Sequence, residues 1–190
     1  MARYEVSGLV RAARAALRSV GRKRLWALLV PLILAGNCAA YAGAVDDCNQ
    51  VRNSDRQLRG CSAYIKSGAA DAQNLATAFL NRANVYAQRG QYAKAFADYD
   101  RALQLDPGNP LVPYNLGNAY LDSGQPEQAA KAFSQAISLD QAFALAYLNR
   151  GVARERLGDK AGAVEDFRQA LELDPTAEGA RRHLGTLRSK

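Results

Sequence analysis

Small, aromatic and polar positions return along this chain at a fixed interval of 34 residues, with no insertion, over residues 76–177. Divided as 76–109, 110–143 and 144–177, the sixth place holds Asn81, Asn115 and Asn149, and the fifteenth holds Gly90, Gly124 and Gly158. The twentieth holds Ala95, Ala129 and Ala163, and the twenty-fourth holds Tyr99, Phe133 and Phe167. Ala102, Ala136 and Ala170 follow, then Leu105-Asp106, Leu139-Asp140 and Leu173-Asp174. Pro107 and Pro175 close the first and third units, with Gln141 in the second. A period of this size marks stacked repeats, each too small to bury its apolar face alone.

The pattern predicts two antiparallel helices per unit. Each glycine ends a first helix of about 13 residues, where a left-handed backbone is needed. Ala83, Gly117 and Gly151 at the eighth place, like the twentieth-place alanines, are small because the two helices approach most closely there. The aromatic four places later is expected to fill space against the next unit's first helix. Proline after Leu-Asp stops the second helix, because the residue before proline is pushed out of the helical region.

These places resemble the tetratricopeptide repeat family over residues 76–177. The resemblance implies an all-α fold, a right-handed α-solenoid of antiparallel helix pairs. It would comprise three units, a degenerate N-terminal unit over 43–75 and a C-terminal capping helix over 178–190. Arg82 and Arg150 stand where a leucine is commoner, and Arg154 replaces the tyrosine that Tyr86 and Tyr120 supply. Loose packing or a polar edge is expected there. Secreted bacterial repeats of the family look similar to Leu80-Asn81-Arg82-Ala83 and Leu148-Asn149-Arg150-Gly151.

Carried backwards from residue 76, the register puts Cys48 at a seventh place and Cys61 at a twentieth, facing each other across one helix pair. In an oxidising compartment this pattern reads as a disulfide; the alternative is two buried free thiols. His183, alone of its type, falls in the short capping stretch and reads as a solvated residue.

The first 42 residues set the compartment. Arg22-Lys23-Arg24 runs into the apolar stretch Leu25–Ala35, followed by Ala40-Tyr41-Ala42. This is the pattern of a secretory signal peptide cleaved after Ala42, with a retained anchor as the other reading. Both place the remainder outside the cytoplasm, periplasmic or secreted, because the positive cluster stays inside. Cys38 follows a near-lipobox spoiled by Asn37, and Val20 is a second candidate start.

The leader also explains the charge. The chain carries +7, with 25 bases and 18 acids, but seven bases and one acid lie in residues 1–42. The remaining 18 bases and 17 acids give a nearly neutral body that cannot rely on counterion release from a phosphate backbone. No nucleic-acid partner is expected, and contact with a membrane only through the leader.

Catalytic signatures are missing too. No nucleophile–base pair, metal cluster, G-x-S-x-G, H-E-x-x-H or P-loop occurs, so neither an enzyme nor a cofactor is expected. The resemblance instead implies a concave groove lined by the first helices. Its candidate residues are Leu80, Asn81, Asn84, Tyr114, Asn115, Asn118, Leu148 and Asn149. Asparagine offers both a donor and an acceptor, so a ladder of them can pair with the backbone of an extended peptide. Equally, it can bond neighbouring helices. The family's carboxylate clamp is not expected, since its basic places hold Thr77, Leu80, Leu111 and Leu145. The reading is a scaffold or adaptor of the bacterial envelope that takes a protein or extended peptide; the alternative is a structural protein acting by self-association.

Overall fold

The computed structural model describes residues 43–49, 53–68 and 71–188. The leader, its cleavage position after Ala42, Cys38 and Val20 therefore lie outside the described residues. The chain divides at Gly43, and the unit Ala44–Lys190 contains the whole repeat array. A helical segment over 43–48 precedes α1 (Ser54–Lys66), α2 (Ala72–Gln88), α3 (Tyr92–Leu105) and α4 (Leu111–Asp122). Then come α5 (Pro126–Leu139), α6 (Ala144–Arg156), α7 (Lys160–Leu173) and α8 (Glu178–Arg188). Among the described residues there is no strand, and no helix is long and apolar enough to cross a membrane.

The helices pair as α2 with α3, α4 with α5 and α6 with α7, while each first helix also touches the next, α2 on α4 and α4 on α6. The turn inside every pair is made by Gly90, Gly124 or Gly158, with φ of 68°, 77° and 83°. That left-handed backbone costs a side chain about 1 kcal/mol, which is why glycine occupies the fifteenth place. The second helices end without depending on proline. Asp140 Oδ1 accepts the Ala142 backbone N–H at 2.9 Å, and Asp174 Oδ1 that of Thr176 at 2.9 Å. This local turn replaces the helical hydrogen bonds, so Gln141 serves where a proline is expected.

Close approach dictates the small residues. Ala95, Ala129 and Ala163 are fully buried. A Cβ on Gly117 would lie 2.5 Å from Phe133 Cε1, and one on Gly151 2.6 Å from Phe167 Cε1. The twenty-fourth-place ring thus lies on its own unit's eighth place, where the sequence pattern sends it to the next unit. Phe133 also shares a core cluster with Ala153 of the following repeat, so one ring serves both interfaces.

The arginines that depart from the family pattern do not loosen the packing. Arg82 donates from Nε and Nη2 to both Asp98 oxygens at 2.7 and 2.8 Å, and Arg150 does the same to Asp166 at 3.0 and 2.6 Å. Arg154 adds a third donor to Asp166 at 2.9 Å. Asp98 and Asp166 are 6% and 2% exposed, so these are interior pairs, which survive only because the carboxylates are multiply satisfied. The second unit has Leu116 and Ala132 at the same two places, both buried. One position pair is therefore filled either by a forked ion pair or by two apolar groups.

The N-terminal unit is out of strict register. Ser54 starts α1 38 residues before Tyr92 starts α3, against 34 from Tyr92 to Pro126 and from Pro126 to Lys160. The extra turn belongs to α2, which begins at Ala72 with Asp71 Oδ1 accepting the Asn74 N–H at 2.9 Å. Cys61 consequently takes the aromatic place, not the twentieth, and is joined to Cys48 by a disulfide, S–S 2.10 Å. Gly60 allows this approach, since a Cβ there would lie 2.5 Å from the Cys48 nitrogen. At the other end, α8 buries Ala180 and Leu184 against α7. His183 is not merely solvated: its ring stacks on Phe167 at 4.9 Å and its Nδ1 meets Glu155 Oε2 at 2.7 Å.

Candidate functional site

Sixth- and ninth-place asparagines project from one side of the first helices because three residues separate them, just under one helical turn. Neighbouring units consume several of them. Asn81 donates to the Cys48 carbonyl at 3.4 Å and to Asn49 Oδ1 at 3.3 Å, pinning α2 to the segment before it. Asn149 donates to Asn118 Oδ1 at 2.8 Å and to the Tyr114 hydroxyl at 3.3 Å, tying α6 to α4. These two are structural crosslinks. Tyr114 is further held between Phe133 and Phe143, with ring centroids 5.9 and 4.7 Å away.

The apolar members of the predicted groove are also largely spent. Leu80 is buried in the core with Tyr99 and Val112, which corrects its expected place in the groove. Leu148 packs toward the capping helix, 3.2 Å from where a Cβ on Gly179 would stand. Leu111 and Leu145, at the second place, stay about half exposed (49% and 51%).

What remains open is a recess of about 230 Å³ between α2 and α4, lined by Asn84, Gln88, Asn115, Asn118 and Asp122, with Tyr99 among its walls. The Tyr99 hydroxyl donates to Asn84 Oδ1 at 2.7 Å, which leaves the Asn84 N–H₂ without a hydrogen-bond partner among the described residues. Burial, with the Asp122 charge adding to it, pushes the Tyr99 hydroxyl well above the ordinary tyrosine range. It therefore stays a neutral donor and holds Asn84 in one orientation. Asn118 has its Oδ1 occupied by Asn149 and its Nδ2 unengaged, while Asn115 makes no side-chain hydrogen bond among the described residues. Asp122 is exposed and unpaired among the described residues. The recess thus offers amide donors beside a carboxylate acceptor, the inventory needed to pair with both halves of a peptide unit.

Of the eight predicted groove residues, three meet in this recess: Asn84, Asn115 and Asn118. Gln88 and Asp122, at the thirteenth place, join them, and neither residue is singled out by the asparagine pattern. A second recess, of about 410 Å³, is lined by Glu155 of α6 and Arg182, His183 and Thr186 of α8. Among the described residues no group of three or more His, Cys, Asp or Glu could hold a metal.

Comparison with known proteins gives the family. Residues 114–178 match the family described as Tetratricopeptide repeat, and residues 83–124 that described as TPR repeat. The Arabidopsis OM64 TPR domain is 30% identical, with 62% of this chain and 98% of that one covered and a TM-score of 0.60. The second TPR domain of human RPAP3, solved in complex with the HSP70 peptide SGPTIEEVD, is 35% identical over 59% of this chain and 93% of that one, TM-score 0.57. MamA is 21% identical over 82% of each chain with a TM-score of 0.69, a likeness of fold alone. No curated protein matches the sequence. The chain belongs to the tetratricopeptide repeat family.

Proposed function

We propose that this chain is a non-enzymatic protein–protein interaction scaffold of the bacterial envelope that holds an extended peptide or partner segment across its first-helix face. The observation that carries the reading is the allocation of the asparagines. Asn81 and Asn149 are taken by neighbouring helices, whereas Asn84, Asn115 and Asn118 turn unengaged amide groups into one recess. A partly buried polar network that leaves its spare donors at one opening suits a main-chain ligand. Peptide binding by relatives supports this class of ligand, RPAP3 having been solved with HSP70 and HSP90 peptides. The clamp places Thr77, Leu80, Leu111 and Leu145 carry no charge, so the α2–α4 recess reads backbone and not a terminal carboxylate. The leader pattern and the Cys48–Cys61 bridge support a compartment outside the cytoplasm.

A photo-crosslinking amino acid at exposed Gln88, with exposed Lys131 as control, tests the reading in the native envelope. The expected result is a discrete partner adduct at Gln88 alone, reduced about tenfold by Asn115→Ala, as loss of one hydrogen bond of about 1.4 kcal/mol implies. Equal adducts at both positions, or only self-adducts, would reject it. Protease accessibility in intact and permeabilised cells checks the compartment.

A further inference from the structure

We propose that the recess between α6 and α8 is a carboxylate-binding site, built from Arg182 and His183, which receives an acidic group of the same partner segment. This rests on the reading of the first-helix face as the partner's seat and adds what the segment must carry.

Most described arginines are already spoken for. Arg56, Arg82, Arg89, Arg150 and Arg154 pair with acids, and Arg101, Arg156 and Arg181 donate to oxygens nearby. Arg59, Arg168 and Arg182 have no such partner among the described residues, and of these Arg182 lines the α6–α8 recess. Beside it, His183 is fixed on both sides, by the Phe167 stack at 4.9 Å and by Glu155 Oε2 at 2.7 Å from Nδ1. A carboxylate can only accept, so Nδ1 carries a proton; Nε2 is the nitrogen left for a guest, and it donates to a carboxylate only in the imidazolium form. The one acid in this recess, Glu155, is thus occupied by the imidazole, and the guanidinium is left to face an incoming anion.

The two recesses then give the face a polarity. The α2–α4 recess holds the lone carboxylate of Asp122, and the α6–α8 recess holds Arg182. They lie two repeats apart, on the order of 20 Å at the usual spacing of packed helices. An extended chain spans that in about six residues. The fitting partner is an extended segment whose backbone seats between α2 and α4 and whose carboxylate lies about six residues away.

His183 is the single histidine of the chain, so its ring resonances report the site without ambiguity. The full chain is titrated with three small probes: N-acetylglutamate α-amide for a side-chain carboxylate, N-acetylalanine for a terminal one, and N-acetylglutamine α-amide as the uncharged control. The expected result is a saturable His183 shift with at least one acid and none with the amide. Affinity should fall about tenfold in Arg182→Gln and stay unchanged in Arg181→Gln, whose parent side chain donates to the Pro175 carbonyl outside the recess. Which acid saturates identifies the source of the carboxylate. Absence of saturation with either acid, or equal affinity in Arg182→Gln, overturns the proposal. Because the His183 resonances report the α6–α8 recess and not α2 or α4, this outcome is read separately from the Asn115 crosslinking result.

Discussion

Asp98→Ala asks whether the interior arginine of the first repeat depends on its partner. Arg82 loses two charge-assisted hydrogen bonds at 2.7 and 2.8 Å and keeps only a 3.4 Å contact to Ser62 Oγ. The bond to Asp98 is the main reason the guanidinium's pKa stands above its ordinary value against the opposing pull of burial; without Asp98 the charge still persists, because a guanidinium does not deprotonate in a protein. Breaking one side of a buried pair typically costs 3–5 kcal/mol. Arg82 keeps 18% of its side chain exposed and lies over the Phe79 and Tyr86 rings at 5.5 and 5.9 Å. Partial solvation and that stacking favour the lower end, about 3 kcal/mol. The second repeat supplies the control, because it fills the same places with Leu116 and Ala132. Combining Arg82→Leu with Asp98→Ala copies that solution, and exchange of a buried pair for apolar groups is close to neutral, within about 1 kcal/mol. Denaturation followed by helical circular dichroism should show Asp98→Ala melting roughly 6–12 °C lower, at about 2–4 °C per kcal/mol for a domain of this size. The double variant should recover most of that loss, a coupling of about 2 kcal/mol. A double variant at least as unstable as Asp98→Ala would refute the claim that the two fillings are equivalent.

Three further outcomes rest on the same geometry. Reduction of the Cys48–Cys61 bridge should cost roughly 3 kcal/mol in the chain-entropy account. Hydrogen exchange should quicken over 43–68 and stay unchanged over 76–177, and uniform quickening would contradict a local clasp. Gly117→Ala places a Cβ 2.5 Å from the buried Phe133 ring and should destabilise by about 1–3 kcal/mol, measured in urea. Tyr99 has a folded-state pKa raised above that of an unfolded tyrosine, so its contribution is intact below about pH 10 and is lost as pH climbs through the folded value. Tyr99→Phe should flatten that alkaline loss in a pH series of melting curves; an unchanged slope above pH 10 would assign it elsewhere.

The repeat itself was legible because it is local. Helix starts, glycine turns and the Leu-Asp stops are decided by a few consecutive residues, and the 34-residue spacing states them three times. The buried alanines at the twentieth place are explained by the same periodicity. The interior ion pairs left a trace as well: arginine at the seventh place accompanies aspartate at the twenty-third in units one and three, and leucine accompanies alanine in unit two. Taken singly, Arg82 and Arg150 look like defects, because the favourable term lies across the helix pair.

Other features were decided only by tertiary packing. One extra turn on α2 moves Cys61 from the twentieth place to the aromatic one, and strict periodicity carries no sign of it. The three sixth-place asparagines are identical in sequence, yet Asn81 and Asn149 become crosslinks while Asn115 is left open. His183 is not an ordinary surface residue, but is stacked and paired by α7 and α6. The physical reason is one of range. Backbone turns and apolar periodicity act over a few residues and can be read in order along the chain. Which donor meets which acceptor is settled only when helices 16 to 35 residues apart come within 3 Å, since a hydrogen bond decays over a few tenths of an ångström.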